Sequence, residues 1–123
     1  MTMDTATRSQ PSAVQLAEAL TARARQAMRL FDVEGYEQAV PLLREAIEAA
    51  PSHAPAYAAL AETYSYWGFR REIAGLESQS LYDLAYENAE MALNLAPDRP
   101  ESHRAMAVAL RRGARADPQR RRG

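Results

Sequence analysis

The sequence predicts an all-α protein of about five helices, paired as antiparallel hairpins within one domain of 123 residues. Three observations predict it. Alanine supplies 26 residues, and it is both the best helix former and a side chain small enough to let helix backbones approach. Few β-branched residues leave little from which to build strands. Apolar residues recur at steps of three and four, in segments bounded by proline or turn residues.

The elements follow in order. Pro11 and Ser12 open a first helix, whose stripe of Val14, Leu16, Ala17, Leu20, Ala24, Ala27, Met28 and Phe31 carries it to about Phe31. The run Asp32–Gly35 has turn chemistry. A second helix spans about Tyr36 to Ala49, with Ala39, Val40, Leu43, Ala46 and Ile47 on one face and Pro51 as its stop. Pro41 removes a backbone donor early in this helix and predicts a loose or kinked first turn. A third helix, from Pro55 to about Gly68, bears Tyr57, Leu60, Ala61 and Tyr64. A fourth runs from about Ser80 to Leu95, and a fifth from about Pro100, with Gly113 as its expected terminator. The resulting expectation is a disordered segment at 1–11, a helical domain at 12–112 with an insertion at about 69–79, and a disordered arginine-rich tail at 113–123.

Composition narrows the function classes. There is no cysteine, so disulfides and thiolate metal sites are excluded. No apolar run approaches the length that spans a bilayer, and no membrane partner is expected. The opening MTMDTATRSQ is polar and lacks the core of a secretory signal, which predicts a cytoplasmic protein. All 15 basic residues are arginine, as a GC-rich bacterial coding sequence would give. The net charge of −1 hides an asymmetry: nine arginines against fifteen acidic groups over residues 1–110, six arginines against one over 111–123. The body is acidic and the tail basic.

The chain also repeats. With Pro51 set on Pro97, Tyr36 falls on Tyr82, Ala39 on Ala85, Ala46 on Ala92 and Ile47 on Leu93. In the opening helices Ala27, Ala61 and Ala107 coincide, as do Leu30, Tyr64 and Leu110. Ala27 and Ala61 are 34 residues apart, the tetratricopeptide period. Gly35–Pro51 (GYEQAVPLLREAIEAAP) and Tyr82–Pro97 resemble the second helix of that family, and Ala56–Gly68 (AYAALAETYSYWG) resembles its first. The resemblance covers about residues 20–112. It implies a right-handed superhelix of hairpins, with small residues (Ala27, Ala39, Ala46, Ala61, Ala85, Ala92) where paired helices meet. Larger ones (Leu30, Leu43, Tyr57, Leu60, Tyr64) would fill the gaps between hairpins. Arg23 and Gln26 depart from the pattern, and the Pro51–Pro97 spacing exceeds one period by twelve residues. That excess predicts an insertion that lengthens the second hairpin into a projecting arm. The fifth helix would cap the stack, with Arg104, Arg111 and Arg112 facing water.

Few residues suggest catalysis. His53 and His103 have no metal-ligand spacing, and the glutamate pairs 34/37, 45/48 and 87/90 sit at helical spacings on solvated faces. No phosphate loop, nucleophile elbow or dinucleotide fingerprint occurs. Neither an enzyme nor a cofactor or metal site is expected. The resemblance places a concave groove along the first helices of successive hairpins, lined by Ala24, Met28, Phe31, Ala58, Glu62, Ser65, Tyr66, Arg104, Val108 and Arg111. Tyr66, Trp67 and Phe69 cannot all face inward, and aromatic residues anchor interfaces. The partner-binding residues expected are therefore Met28, Phe31, Glu62, Tyr66, Trp67, Arg104 and Arg111. Ala24 and Met28 stand where some family members carry a carboxylate-holding clamp, which disfavours a chaperone-tail receptor. The expected function is capture of a helix or peptide of another protein, through the groove or the lengthened hairpin. Self-assembly into a homo-oligomeric scaffold is the first alternative. An accessory nucleic-acid or anion binder acting through the arginine tail is the second, weakened by the absence of stacking aromatics in that tail.

Overall fold

The structure, a computed structural model, describes residues 12–116, so the expected disordered lead-in and the tail beyond 116 lie outside the described residues. Among the described residues there are five helices: α1 Ala13–Met28, α2 Val33–Ala49, α3 Ala54–Ile73, α4 Gln79–Leu95 and α5 Pro100–Ala116. Among the described residues there is no strand. The all-α expectation is met.

Local chemistry sets the boundaries. Ser12 and Gln15 form a reciprocal capping box, each side chain accepting the other's backbone N–H. Asp32 caps α2 by accepting from the Gly35 N–H at 2.8 Å. Gly35, expected in a turn, is thereby drawn into the first helical turn, and α1 ends at Met28 rather than Phe31. Pro41 stands well inside α2 on its exposed face, as does Glu37, whose carbonyl it deprives of a donor.

The insertion lengthens α3, which continues through Gly68 to Ile73. It ends in a Schellman motif: Gly75, at φ +73°, donates to the Glu72 carbonyl, and Leu76 donates to that of Arg71. This left-handed stop is what Gly113 lacks. Gly75 is the one glycine of positive φ among the described residues, and α5 runs through Gly113 to Ala116.

Packing follows a pattern. The hairpins are α1–α2 and α3–α4, with α5 laid against both helices of the second. Helix α3 touches α1, α2 and α5, whereas α2 and α4 do not touch. Helices α1, α3 and α5 therefore form one layer with α3 between the other two, and α2 and α4 lie apart on its other side. The residues expected at close approaches bear this out: Ala39, Ala46, Ala61, Ala85 and Ala92 are fully buried, and Ala27 is partly so. Leu43, Leu60 and Tyr64 are buried as well. Leu30 is not, at 75% exposed, because α1 stops short of it and leaves it in the connector.

The two connectors that follow a proline share one geometry. Ala50 and Ala96 end α2 and α4 at φ −142°, ψ 89° and φ −146°, ψ 73°. Each donates back to an alanine carbonyl four residues earlier, Ala46 or Ala92. Six residues beyond each proline a side chain bonds its carbonyl: the Tyr57 hydroxyl to Pro51 and His103 Nε2 to Pro97. This assigns His103 a local task, as the counterpart of Tyr57.

Gly35 marks a close contact in the first hairpin. A Cβ there would lie 2.3 Å from the Ala27 carbonyl oxygen, a backbone atom with no rotamer to change. Gly35→Ala is therefore expected to lower unfolding stability by about 1–3 kcal/mol, read as an earlier urea midpoint at unchanged slope. A midpoint equal to that of the parent would show that the hairpin is looser than described.

Candidate functional site

The α1–α3–α5 layer holds a cavity of about 170 Å³ lined by Arg25, Met28, Arg29, Phe31, Glu62 and Tyr66. It lies where the last turn of α1 meets the middle of α3. Met28 forms the floor, buried and accepting from the Thr63 hydroxyl at its sulfur. Phe31 stands at the rim, 49% exposed, with its ring edge-on to Tyr66 at 5.3 Å between centroids. Its backbone is left-handed (φ +52°), the one non-glycine residue of that kind among the described residues. An aromatic residue pays a steric penalty in this region, because its Cβ crowds the following carbonyl. The arginine at 70, one turn before the end of α3, donates to the Phe31 carbonyl and holds the connector in place.

Glu62 is the centre of charge in this groove. Its side chain is about nine-tenths buried, and its two oxygens face arginines from opposite sides. Arg25 of α1 donates to Oε1 at 3.3 Å. Arg104 of α5 stands 3.7 Å from Oε2, beyond hydrogen-bond reach, so that oxygen has no hydrogen-bond partner among the described residues. A carboxylate removed from water in this way requires its counter-ions. The three inner helices are thus tied through a single side chain, tightly on one side and loosely on the other.

The arginine at 112 completes the aromatic end. Its guanidinium lies over the Phe69 ring at 4.1 Å and the Tyr66 ring at 5.5 Å, within cation–π range. Phe31, Tyr66, Phe69 and Arg112 thus form one continuous surface across the α1–α2 connector, α3 and α5.

Of the expected groove residues, Met28, Phe31, Glu62 and Tyr66 meet at the cavity, and Arg104 joins them through Glu62. Trp67 turns away: it stacks on buried Tyr36 of α2 at 6.4 Å, because one residue beyond Tyr66 is a rotation of roughly 100° about the helix. Arg111 is exposed on α5, and it is Arg112 that reaches the rings, half-buried rather than facing water. Ala24, Ala58 and Ser65 are fully buried between helices and offer no groove surface. Sequence reasoning missed Arg25 and Arg29. Their spacing gave the signal, since Arg25, Met28 and Arg29 share one face of α1 at steps of three and four.

Among the described residues no group of three or more histidines, aspartates and glutamates stands ready to hold a metal ion. No helix of the described residues is long and apolar enough to cross a membrane. Comparison of the chain with protein-family models, with curated proteins and with solved structures gave no match.

A second cavity, of about 230 Å³, is lined by Glu18, Thr21, Arg25, His53, Pro55 and Arg99 among others. The His53 Nε2 is buried without a hydrogen-bond partner among the described residues. Burial holds its pKa below the ordinary value, Glu18 opposes this, and Arg99 adds to it. Between that lowered value and 6.5 the unfolded chain binds a proton that the folded one refuses. Stability contributed by neutral His53 is therefore complete above pH 6.5 and falls as the pH drops through the window below it. Urea midpoints measured against pH should decline there, and His53→Gln should flatten that decline. Parallel profiles for parent and variant would place the acid sensitivity elsewhere.

Proposed function

We propose that this chain is a tetratricopeptide-like interaction module that captures a peptide or helix of another protein in its concave groove. The observation that carries the reading is Phe31. A bulky apolar side chain is held half-exposed, in a backbone conformation that disfavours it, at the rim of an apolar cavity. Strain of this kind survives where its geometry is used. Tyr66 meets the ring edge-to-face and Met28 floors the cavity, which is the apolar anchor site that a peptide in a groove requires.

Three features support the family reading: the alanines buried at both hairpins, the matching connectors after Pro51 and Pro97, and an inner layer of first helices. Binding rather than catalysis fits the one carboxylate of the groove, which Arg25 and Arg104 occupy as counter-ions. On this reading the protein works as an adaptor in the bacterial cytoplasm, needing no cofactor.

Phe31→Gly separates binding from folding. It removes the anchor ring and also relieves the left-handed strain, worth about 1–2 kcal/mol for a residue with a Cβ. The variant is expected to keep or raise the parent's unfolding midpoint. Affinity capture from native-host extract, quantified by mass spectrometry, should meanwhile lose the parent's specific partners by roughly tenfold or more. Undiminished capture by a folded Phe31→Gly protein would show that the groove rim is not the binding surface.

A further inference from the structure

The charges around the cavity go beyond a generic groove. Two guanidinium groups line it (Arg25 and Arg29) and two more approach side chains that line it, Arg104 at Glu62 and Arg112 at Tyr66, against the single carboxylate of Glu62. They are not equally committed. Arg25 is bonded to Glu62, and Arg112 is stacked on Tyr66 and Phe69. Arg104 is 61% exposed and too far from Glu62 for a hydrogen bond, while Arg29 is exposed and has no ion pair among the described residues. Two guanidinium forks are thus available beside an apolar socket, one from α1 and one from α5.

We propose that the occupant of the groove is an acidic segment of a partner protein. One apolar side chain of that segment seats on Met28, Phe31 and Tyr66, and its flanking carboxylates pair with Arg29 and Arg104. The proposal rests on the groove reading given above and adds the chemistry of what is read. Arg104 is the moving part. Its 3.7 Å separation from Glu62 lets it turn to an incoming carboxylate, while Arg25 continues to neutralise Glu62. Charge-assisted forks of this type carry both affinity and orientation. A peptide fits better than a single-stranded nucleic acid, because Arg112 already lies over the Tyr66 and Phe69 rings on which a base would stack.

The test uses the full chain and three short fluorescent peptides sharing one central leucine or phenylalanine, flanked by glutamates, by serines or by lysines. Anisotropy titrations are run at low and at physiological ionic strength. The glutamate peptide is expected to bind roughly tenfold or more tighter than the serine peptide, with the lysine peptide weakest. That preference should shrink as salt rises. In the Arg29→Gln/Arg104→Gln variant, whose replaced side chains are exposed, the glutamate-over-serine preference should contract to within about twofold. Equal binding of the glutamate and serine peptides overturns the acidic occupant and leaves the groove reading standing. Binding of none of the three overturns both. A single-stranded oligonucleotide that competes as well as the glutamate peptide reassigns the arginines to phosphate. A scattering mass that doubles with concentration and returns to monomer on adding the glutamate peptide gives the groove to a second copy. Either result overturns the proposal.

Discussion

Helices can lie side by side at the spacing of these hairpins only where one of them presents almost no side chain. Ala39, Ala46, Ala61, Ala85 and Ala92 meet that condition with full burial, and Gly35 meets it more strictly, facing a carbonyl that leaves no room for a methyl group. Close approach shortens every contact in the interior, so dispersion and excluded water act over the whole seam. A core built largely of alanine has little apolar area per residue, and it is held by closeness rather than by bulk. Tyr36, Leu43, Leu60, Tyr64 and Tyr82 then fill what the alanines leave open.

The groove is a consequence of this arrangement. With α1, α3 and α5 in one layer, and α2 and α4 apart behind it, side chains in the middle of α3 face both of its neighbours. Glu62 exploits that position, and a single carboxylate spans three helices. The lengthening of α3 to Ile73 serves the same face, since Phe69 and Arg70 lie in the added turns. One supports Arg112 and the other secures Phe31. The insertion extends the surface beside the cavity as well as lengthening α3.

Much of this was legible in the residues. Periodic apolar stripes and prolines at 51 and 97 gave five helices, and the alignment of alanines gave the seam. Misplaced boundaries share one cause, which is that caps depend on geometry invisible in composition. Asp32 pulled Gly35 into a helix, and Gly75 rather than Gly68 or Gly113 took the left-handed stop. In the site, Met28, Phe31, Glu62 and Tyr66 were reachable because a helical face follows from spacing alone. Trp67 and Arg111 were each assigned one residue from the face that matters, where a rotation of roughly 100° separates groove from core or solvent. Which arginine would claim Glu62 depended on how α1, α3 and α5 pack, and no local pattern encodes that.

The central claim concerns volume at the seam, and chemical denaturation of single alanine-to-leucine variants addresses it directly. Ala61→Leu and Ala85→Leu, both at fully buried positions, should each lose about 1–3 kcal/mol by overpacking. Ala22→Leu and Ala107→Leu, at exposed helical positions, should stay within about 0.5 kcal/mol of the parent. Buried and exposed variants of equal stability would contradict the account, since leucine would then fit where two helices are held to be nearly touching.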